Sequence, residues 1–201
     1  MDEQTKSDRK RQHILDTGRA LVIKHGFGGV GIARLLTECN IPKGSFYYYF
    51  ASKEAFGQAL LADYVQDYLD RFDRLANGPG TAAEKLGAFW SGWLAQAGAE
   101  GIATQCLVVK LGAEVADLSD AMRVILNDGI TEFVQRIATL LRQGASEGSL
   151  PRFSDPVATA QMLYAQWLGA SILAKLSRSQ TPLEQALQQT TGLLTQDNLQ
   201  G

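Results

Sequence analysis

Little in this sequence marks a secreted, membrane-spanning or catalytic protein. It has two cysteines, Cys39 and Cys106, far apart in the chain. That count and spacing make no disulfide framework and no metal site, and in a reducing compartment both remain thiols. The two histidines, His13 and His25, stand alone, so no metal and no cofactor is expected. No apolar run is long enough to span a bilayer, and the charged opening Met-Asp-Glu-Gln-Thr-Lys lacks the apolar stretch of a secretory leader. A cytoplasmic protein is expected. Strand-like alternation and internal repeats are missing, which leaves an all-α fold. There is also no phosphate-binding loop, no Ser-His-Asp order and no pair of carboxylates at a plausible site, so no catalytic residue is named and no enzyme is expected.

What remains is a chain of 201 residues, 45% of them hydrophobic, enough for one or two domains with a substantial core. Its net charge of −2 hides an asymmetry. Residues 1–55 carry nine Lys/Arg against six Asp/Glu, and the rest carries ten against fifteen. A basic head on an acidic body suits a chain whose first 55 residues meet phosphate while the remainder does something else.

The most informative stretch is Ile41-Pro-Lys-Gly-Ser-Phe-Tyr-Tyr-Tyr-Phe50, with Lys53 close behind. Five consecutive aromatics are too apolar for a free loop, whereas Pro42, Lys43, Gly44 and Ser45 are small, polar or basic. A short helix separates the two sets, with Pro42 tolerated in its first turn. Phe46 and Phe50, four apart, belong to the core. The other face offers Lys, Ser and tyrosine hydroxyls around a glycine that permits close approach, as suits the major groove of DNA and its flanking phosphates.

Ahead of it, residues 6–26 form a first helix with Ile14, Leu15, Gly18, Leu21 and Val22 on one face, Ser7 as cap and Gly26 as stop. Arg9, Lys10 and Arg11 would lie near the N-terminus of that helix, where its dipole disfavours cations. Either phosphates sit nearby or this is a solvated basic end. A glycine-rich link at 27–31 leads to a short helix at 32–39, facing inward through Ile32, Leu35, Leu36 and Cys39, and Asn40 supplies a left-handed turn. Helix, short helix, turn, short helix is a helix-turn-helix order.

These residues resemble a known family. The run from Gly26-Phe27 through Ile32-Ala33 to Lys43-Gly44-Ser45-Phe46-Tyr47-Tyr48-Tyr49-Phe50 and Ser52-Lys53-Glu54 is similar to the DNA-binding domain of the TetR family of bacterial transcriptional regulators. The similarity covers about the first quarter of the chain. It implies that Lys43, Ser45, Tyr47 and Tyr48 face the groove, that Tyr49 and Lys53 hold phosphates, and that Gly44 permits close approach. Gly31 stands where the family usually has a capping Ser or Thr, and Asn40 where it has a turn glycine; caps and turns accept both. The implied architecture is a helix-turn-helix DNA-binding domain at 1–55, joined by a long helix to a helical regulatory and dimerisation domain at 56–201.

In the body, a helix at 52–76 capped by Ser52 repeats Phe56, Leu60, Tyr64, Tyr68 and Phe72, and Asn77-Gly-Pro-Gly breaks the chain. Helices follow at about 81–98, 105–116, 119–145, 155–178 and 182–195. The pair at 155–178 and 182–195 is apolar and rich in small residues, including Gly169 and Ala170. It is either internal core or, as the resemblance implies, half of a four-helix dimer interface reading a palindromic site.

Ala103-Thr-Gln-Cys106 opens another helix. If Thr104 caps it, Cys106 falls in the first turn, where the positive end of the helix favours a thiolate, with the Lys110 cation one turn on. A buried cysteine without a role is the alternative. Gln105-Cys106-Leu-Val-Val-Lys-Leu-Gly-Ala-Glu-Val, Trp167-Leu-Gly-Ala and Ala174-Lys175-Leu-Ser-Arg resemble the NemR-like branch of the family. That resemblance implies a repressor of detoxifying reductases that answers to electrophiles through cysteine. Lys175, in an apolar stretch, needs water, a carboxylate such as Glu114, or a depressed pKa. Two accounts therefore stand: release from DNA through modification of Cys106, or induction by a non-covalent apolar or aromatic molecule near Phe89, Trp90, Trp93 and Phe133.

Overall fold

The computed structural model describes residues 2–95 and 106–195. Among them are nine helices and no strand: α1 (Asp2–His25), α2 (Ile32–Cys39), α3 (Lys43–Tyr49), α4 (Lys53–Ala76), α5 (Ala82–Ala95), α6 (Leu107–Leu118), α7 (Asp120–Glu147), α8 (Pro156–Ser177) and α9 (Thr181–Thr195). The all-α expectation is met. Thr104, the anticipated cap, lies outside the described residues. No described helix is long and apolar enough to cross a membrane, and no described cluster of His, Cys, Asp and Glu can hold a metal.

The chain divides into two compact units, residues 1–67 with 110–127, and residues 68–109 with 128–201. Residues 110–127 thus group with the N-terminal helices in the first unit.

In the first unit, α1 buries the anticipated stripe of Ile14, Leu15, Leu21 and Val22. Gly18 on that stripe leaves room for the Phe56 ring, which a Cβ there would strike. Gly26, at φ +77°, stops the helix, its N–H donating to Val22 O at 2.8 Å. The start of α1 differs from expectation. The helix begins at Asp2, so Ser7 is not its cap but donates to the Tyr49 hydroxyl at 3.2 Å. Arg9, Lys10 and Arg11 consequently lie along the helix and not at its positive end, and the Arg11 guanidinium rests 5.5 Å from the Phe50 ring centre. Arg19 ties α1 to α4 through Asp67 at 3.1 Å, with its guanidinium over Tyr64.

The second unit is built on aromatics. Trp90 stacks on Trp167 with ring centres 5.1 Å apart, Trp93 meets Trp167 at 5.7 Å and Tyr164 at 6.4 Å, and Phe133 meets Tyr164 at 5.0 Å. Truncating one such buried ring to alanine costs roughly 3–5 kcal/mol. Trp167 satisfies its indole N–H on Thr190 of α9 at 3.0 Å. Asp155 caps α8, accepting from Val157 N and Ala158 N at 2.9 Å each. A capping box starts α5: Thr81 N donates to Glu84, and Glu84 N to Thr81 Oγ1.

α8 is apolar on two sides. Leu163, Trp167 and Ala170 are buried within the chain, whereas Met162, Ile172, Leu173 and Leu176 are exposed. Ala170 therefore belongs to the internal packing and not to an outer seam; Gly169 is half-buried with open space where a Cβ would stand.

Candidate nucleic-acid interface and sensing cysteine

The head presents α3 by a short sequence of local decisions. α2 ends at Asn40, whose φ of 51° and ψ of 49° lie in the left-handed region, with its N–H donating to Thr37 O at 3.1 Å. Asn accepts that conformation at low cost. Pro42 then takes the cap position one residue before α3, not its first turn, and Ser45 N bonds back to Pro42 O at 3.0 Å. Phe46 and Phe50 point inward with Phe56, their ring centres 5.2 to 5.7 Å apart. This anchor fixes the rotation of α3 and leaves Lys43, Gly44, Tyr47 and Tyr48 exposed.

That face is costly to leave in water. Tyr48 is 77% exposed, and the Lys43 ammonium lies 5.9 Å from the centre of the Tyr47 ring. A Cβ on Gly44 would meet nothing within 4 Å. Among the described residues nothing therefore calls for a glycine in this helix, where it costs about 1 kcal/mol relative to alanine. Ser45 is half-buried. Tyr49 is also half-buried, held by Ser7 and edge-on to Tyr48 at 4.9 Å. Lys53, in the first turn of α4, is half-buried with its ammonium 4.8 Å from the centre of the Phe27 ring. Lys43, Gly44, Ser45, Tyr47, Tyr48 and Tyr49 thus share one seven-residue helix, and Lys53 follows in the next.

In the body, Cys106 immediately precedes α6 instead of lying in its first turn, and it is only 2% exposed. Burial raises the Tyr164 hydroxyl well above its ordinary pKa, and the neighbouring Cys106 adds to the rise. Lys110 is half-buried and Lys175 is exposed. Glu114, anticipated as a partner for Lys175, instead accepts from the backbone N–H groups of Phe27 at 3.2 Å and Gly28 at 2.6 Å. Cys39 is 3% exposed. Burial pushes its thiol up, Thr17 opposes through a hydrogen bond, and Glu38 adds to the rise.

The anticipated pocket residues do come together. Phe89 lies 4.7 Å from Trp90, 6.4 Å from Trp93 and 5.5 Å from Phe133 between ring centres. All four are buried, and the indole N–H groups of Trp90 and Trp93 have no hydrogen-bond partner among the described residues. Sequence reasoning left Tyr164 and Trp167 out of this cluster, although Trp167 at helical spacing from Leu163 and Ala170 already placed it on an inner face.

Two family models match the chain, one described as "Bacterial regulatory proteins, tetR family" over residues 14–60 and one as "Tetracyclin repressor-like, C-terminal domain" over residues 82–190. The HTH-type transcriptional repressor NemR of Escherichia coli K12 is 41% identical over 188 residues, covering 93% of this chain and 94% of that protein. The chain belongs to the TetR family. It is also 31% identical to the transcriptional regulator AcuR of Cereibacter sphaeroides, over 86% of this chain and 79% of that one. A crystal structure of Escherichia coli NemR in its reduced form superposes with a TM-score of 0.89 at 38% identity, covering 95% of this chain and all of that one. The TetR-type order of an N-terminal helix-turn-helix and a C-terminal helical region is therefore the order found here.

Proposed function

We propose that the chain is a DNA-binding transcriptional repressor and not an enzyme, acting as a homodimer on a palindromic operator and released when a reactive electrophile or oxidant modifies Cys106. The observation that carries the first half is the exposed face of α3, where Lys43, Tyr47 and Tyr48 surround a glycine for which the chain has no internal use. Lys43, Ser45, Tyr47 and Tyr48 reach the groove, Gly44 lets the backbone approach, and Tyr49 and Lys53 meet phosphate. Residues 1–55 read DNA, while 56–201 regulate and dimerise. Binding chromosomal DNA places the protein in the cytoplasm. The second copy covers the exposed aliphatics of α8, Met162, Ile172, Leu173 and Leu176, together with α9.

The second half rests on Cys106 standing directly ahead of α6, whose N-terminal amides favour a thiolate. Likeness to NemR, a repressor solved in a form called reduced, supports a redox-dependent state. Because the thiol is buried, modification requires local opening, and the added bulk has to be accommodated by moving the start of α6. Lys175 assists by favouring the thiolate or, once a hypochlorite-type oxidant has converted the thiol to a sulfenic acid, by its neutral amine attacking that sulfur to form an S–N bond with loss of water, if the two atoms come within bonding reach.

A second reading has its own support. The indole N–H groups of Trp90 and Trp93, without a partner among the described residues, would suit a hydrogen-bond acceptor on an apolar or aromatic inducer held non-covalently beside Phe89 and Phe133. Gel-shift assays with DNA from upstream of the coding region, with and without N-ethylmaleimide, separate the two. Covalent sensing requires that wild type release the DNA and Cys106→Ser retain it; normal release by Cys106→Ser would leave the non-covalent reading.

A further inference from the structure

The glycine-rich link between α1 and α2 is held by a carboxylate from elsewhere in the same compact unit. Past Gly26, whose φ of +77° turns the chain, the backbone N–H groups of Phe27 and Gly28 both point at Glu114 of α6, at 3.2 and 2.6 Å. Successive amides around a left-handed residue form a concavity that binds anions. The two flanking glycines leave the carboxylate its space: a Cβ on Gly26 would stand 3.0 Å from one oxygen, and a Cβ on Gly28 would stand 3.0 Å from the other.

The same segment grips the start of α4. Ser119 donates to Glu54 at 2.6 Å. Gly57 makes room for Met122 and Phe27 together, since a Cβ there would lie 2.5 Å from the Met122 sulfur and 2.6 Å from the Phe27 ring. Phe27 is the shared element. Its amide is held by Glu114, its ring is buried, and the Lys53 ammonium lies over that ring at 4.8 Å.

We propose that Glu114 is a positioning residue for DNA recognition: its carboxylate fixes the Phe27–Gly28 turn, and with it α2, α3 and Lys53, and loss of this grip is the step by which modification of Cys106 lowers operator affinity. The second half rests on the regulation proposed above. Glu114 lies eight residues beyond Cys106, and α6 begins at the very next residue. One unbroken helix therefore carries both a displaced N-terminus and the carboxylate, about 12 Å apart along the axis. A charge-assisted hydrogen bond weakens steeply with angle and distance, so a shift of about an ångström is enough to loosen the turn.

The test uses full-length protein and a duplex recovered by in vitro selection with wild type, with affinity measured before and after N-ethylmaleimide. Untreated Glu114→Ala should bind on the order of tenfold more weakly, the equivalent of losing about one charge-assisted hydrogen bond. Glu114→Gln, which keeps a carbonyl acceptor, should recover most of that. The ratio of untreated to treated affinity should shrink towards one in Glu114→Ala, with the alkylation rate of Cys106 unchanged. The ¹⁵N amide signals of Phe27 and Gly28 should move the same way in untreated Glu114→Ala as in treated wild type. Wild-type affinity in a folded Glu114→Ala protein overturns the positioning role. Weakened binding with the full wild-type ratio overturns the switch role. Should Glu114→Ala not fold, Glu114→Gln and the wild-type amide shifts decide instead, and unmoved signals overturn the switch. If wild type itself keeps its DNA after treatment, the Cys106 reading falls and takes the switch with it, while the untreated affinities still judge the positioning role.

Discussion

The head and the body each bury one cysteine, and the two thiols stand at opposite poles of their helices. Cys39 is the last residue of α2 and Cys106 directly precedes α6, at 3% and 2% exposure. Burial does not separate them; their places on the helices do. Burial, with the adjacent Glu38, raises the Cys39 thiol at the negative end of α2, against a hydrogen bond from Thr17. On the proposed reading, the first-turn amides of α6 favour a thiolate at Cys106. The same contrast runs through the two regions. The head presents polar aromatics and a cation to the outside, Tyr47, Tyr48 and Lys43, whereas α8 in the body presents bare aliphatics. The first surface suits nucleic acid and the second a copy of itself.

If that division of labour holds, the largest effect comes from the body surface. Leu173 is 57% exposed, so Leu173→Glu leaves the internal packing intact and should produce a monomer. Loss of the second half-site should then weaken DNA binding roughly a hundred- to ten-thousand-fold. Sedimentation checks the assembly, and a Leu173→Glu protein that stays dimeric would dissolve the contrast with the head.

Next in size are the head substitutions Lys43→Ala and Tyr48→Ala. Each should cost about 1–3 kcal/mol at particular base pairs and alter which sequences are selected, while leaving the proportional response to N-ethylmaleimide unchanged. Selection experiments that return the wild-type site for both variants would remove these residues from the reading face. The smallest effect belongs to Lys53→Ala, which should weaken binding to all sequences alike and reduce the salt slope by about one unit. A salt titration with an unchanged slope would mean that Lys53 serves only to pack on Phe27.

Much of this was legible in the chain because local rules and packing agree. The stripe of Ile14, Leu15, Gly18, Leu21 and Val22, the Gly26 stop and the Asn40 turn all behave as their residue types dictate. The Phe46 and Phe50 anchor follows from spacing alone. The early start of α1 was not legible, since polar residues before Ser7 carry no periodicity to extend a helix. Nor was the place of Ala170, because α8 is apolar on both sides and small residues alone do not say which side faces a neighbour. Glu114 turning to the Phe27 and Gly28 amides was not legible either, being a contact over more than eighty residues. A glycine-rich link advertises bare amides, but it does not name the carboxylate that will find them.

The central claim is that the body's thiol, and not the head's, controls DNA binding. Its most direct test is to add limiting N-ethylmaleimide to the full-length protein on DNA, following anisotropy while mass spectrometry counts the label on each cysteine. The account predicts that Cys106 is labelled before Cys39 and that release, on the order of a hundredfold in affinity, tracks the Cys106 fraction. Label on Cys39 first, or full labelling of Cys106 with the DNA still bound, would contradict it.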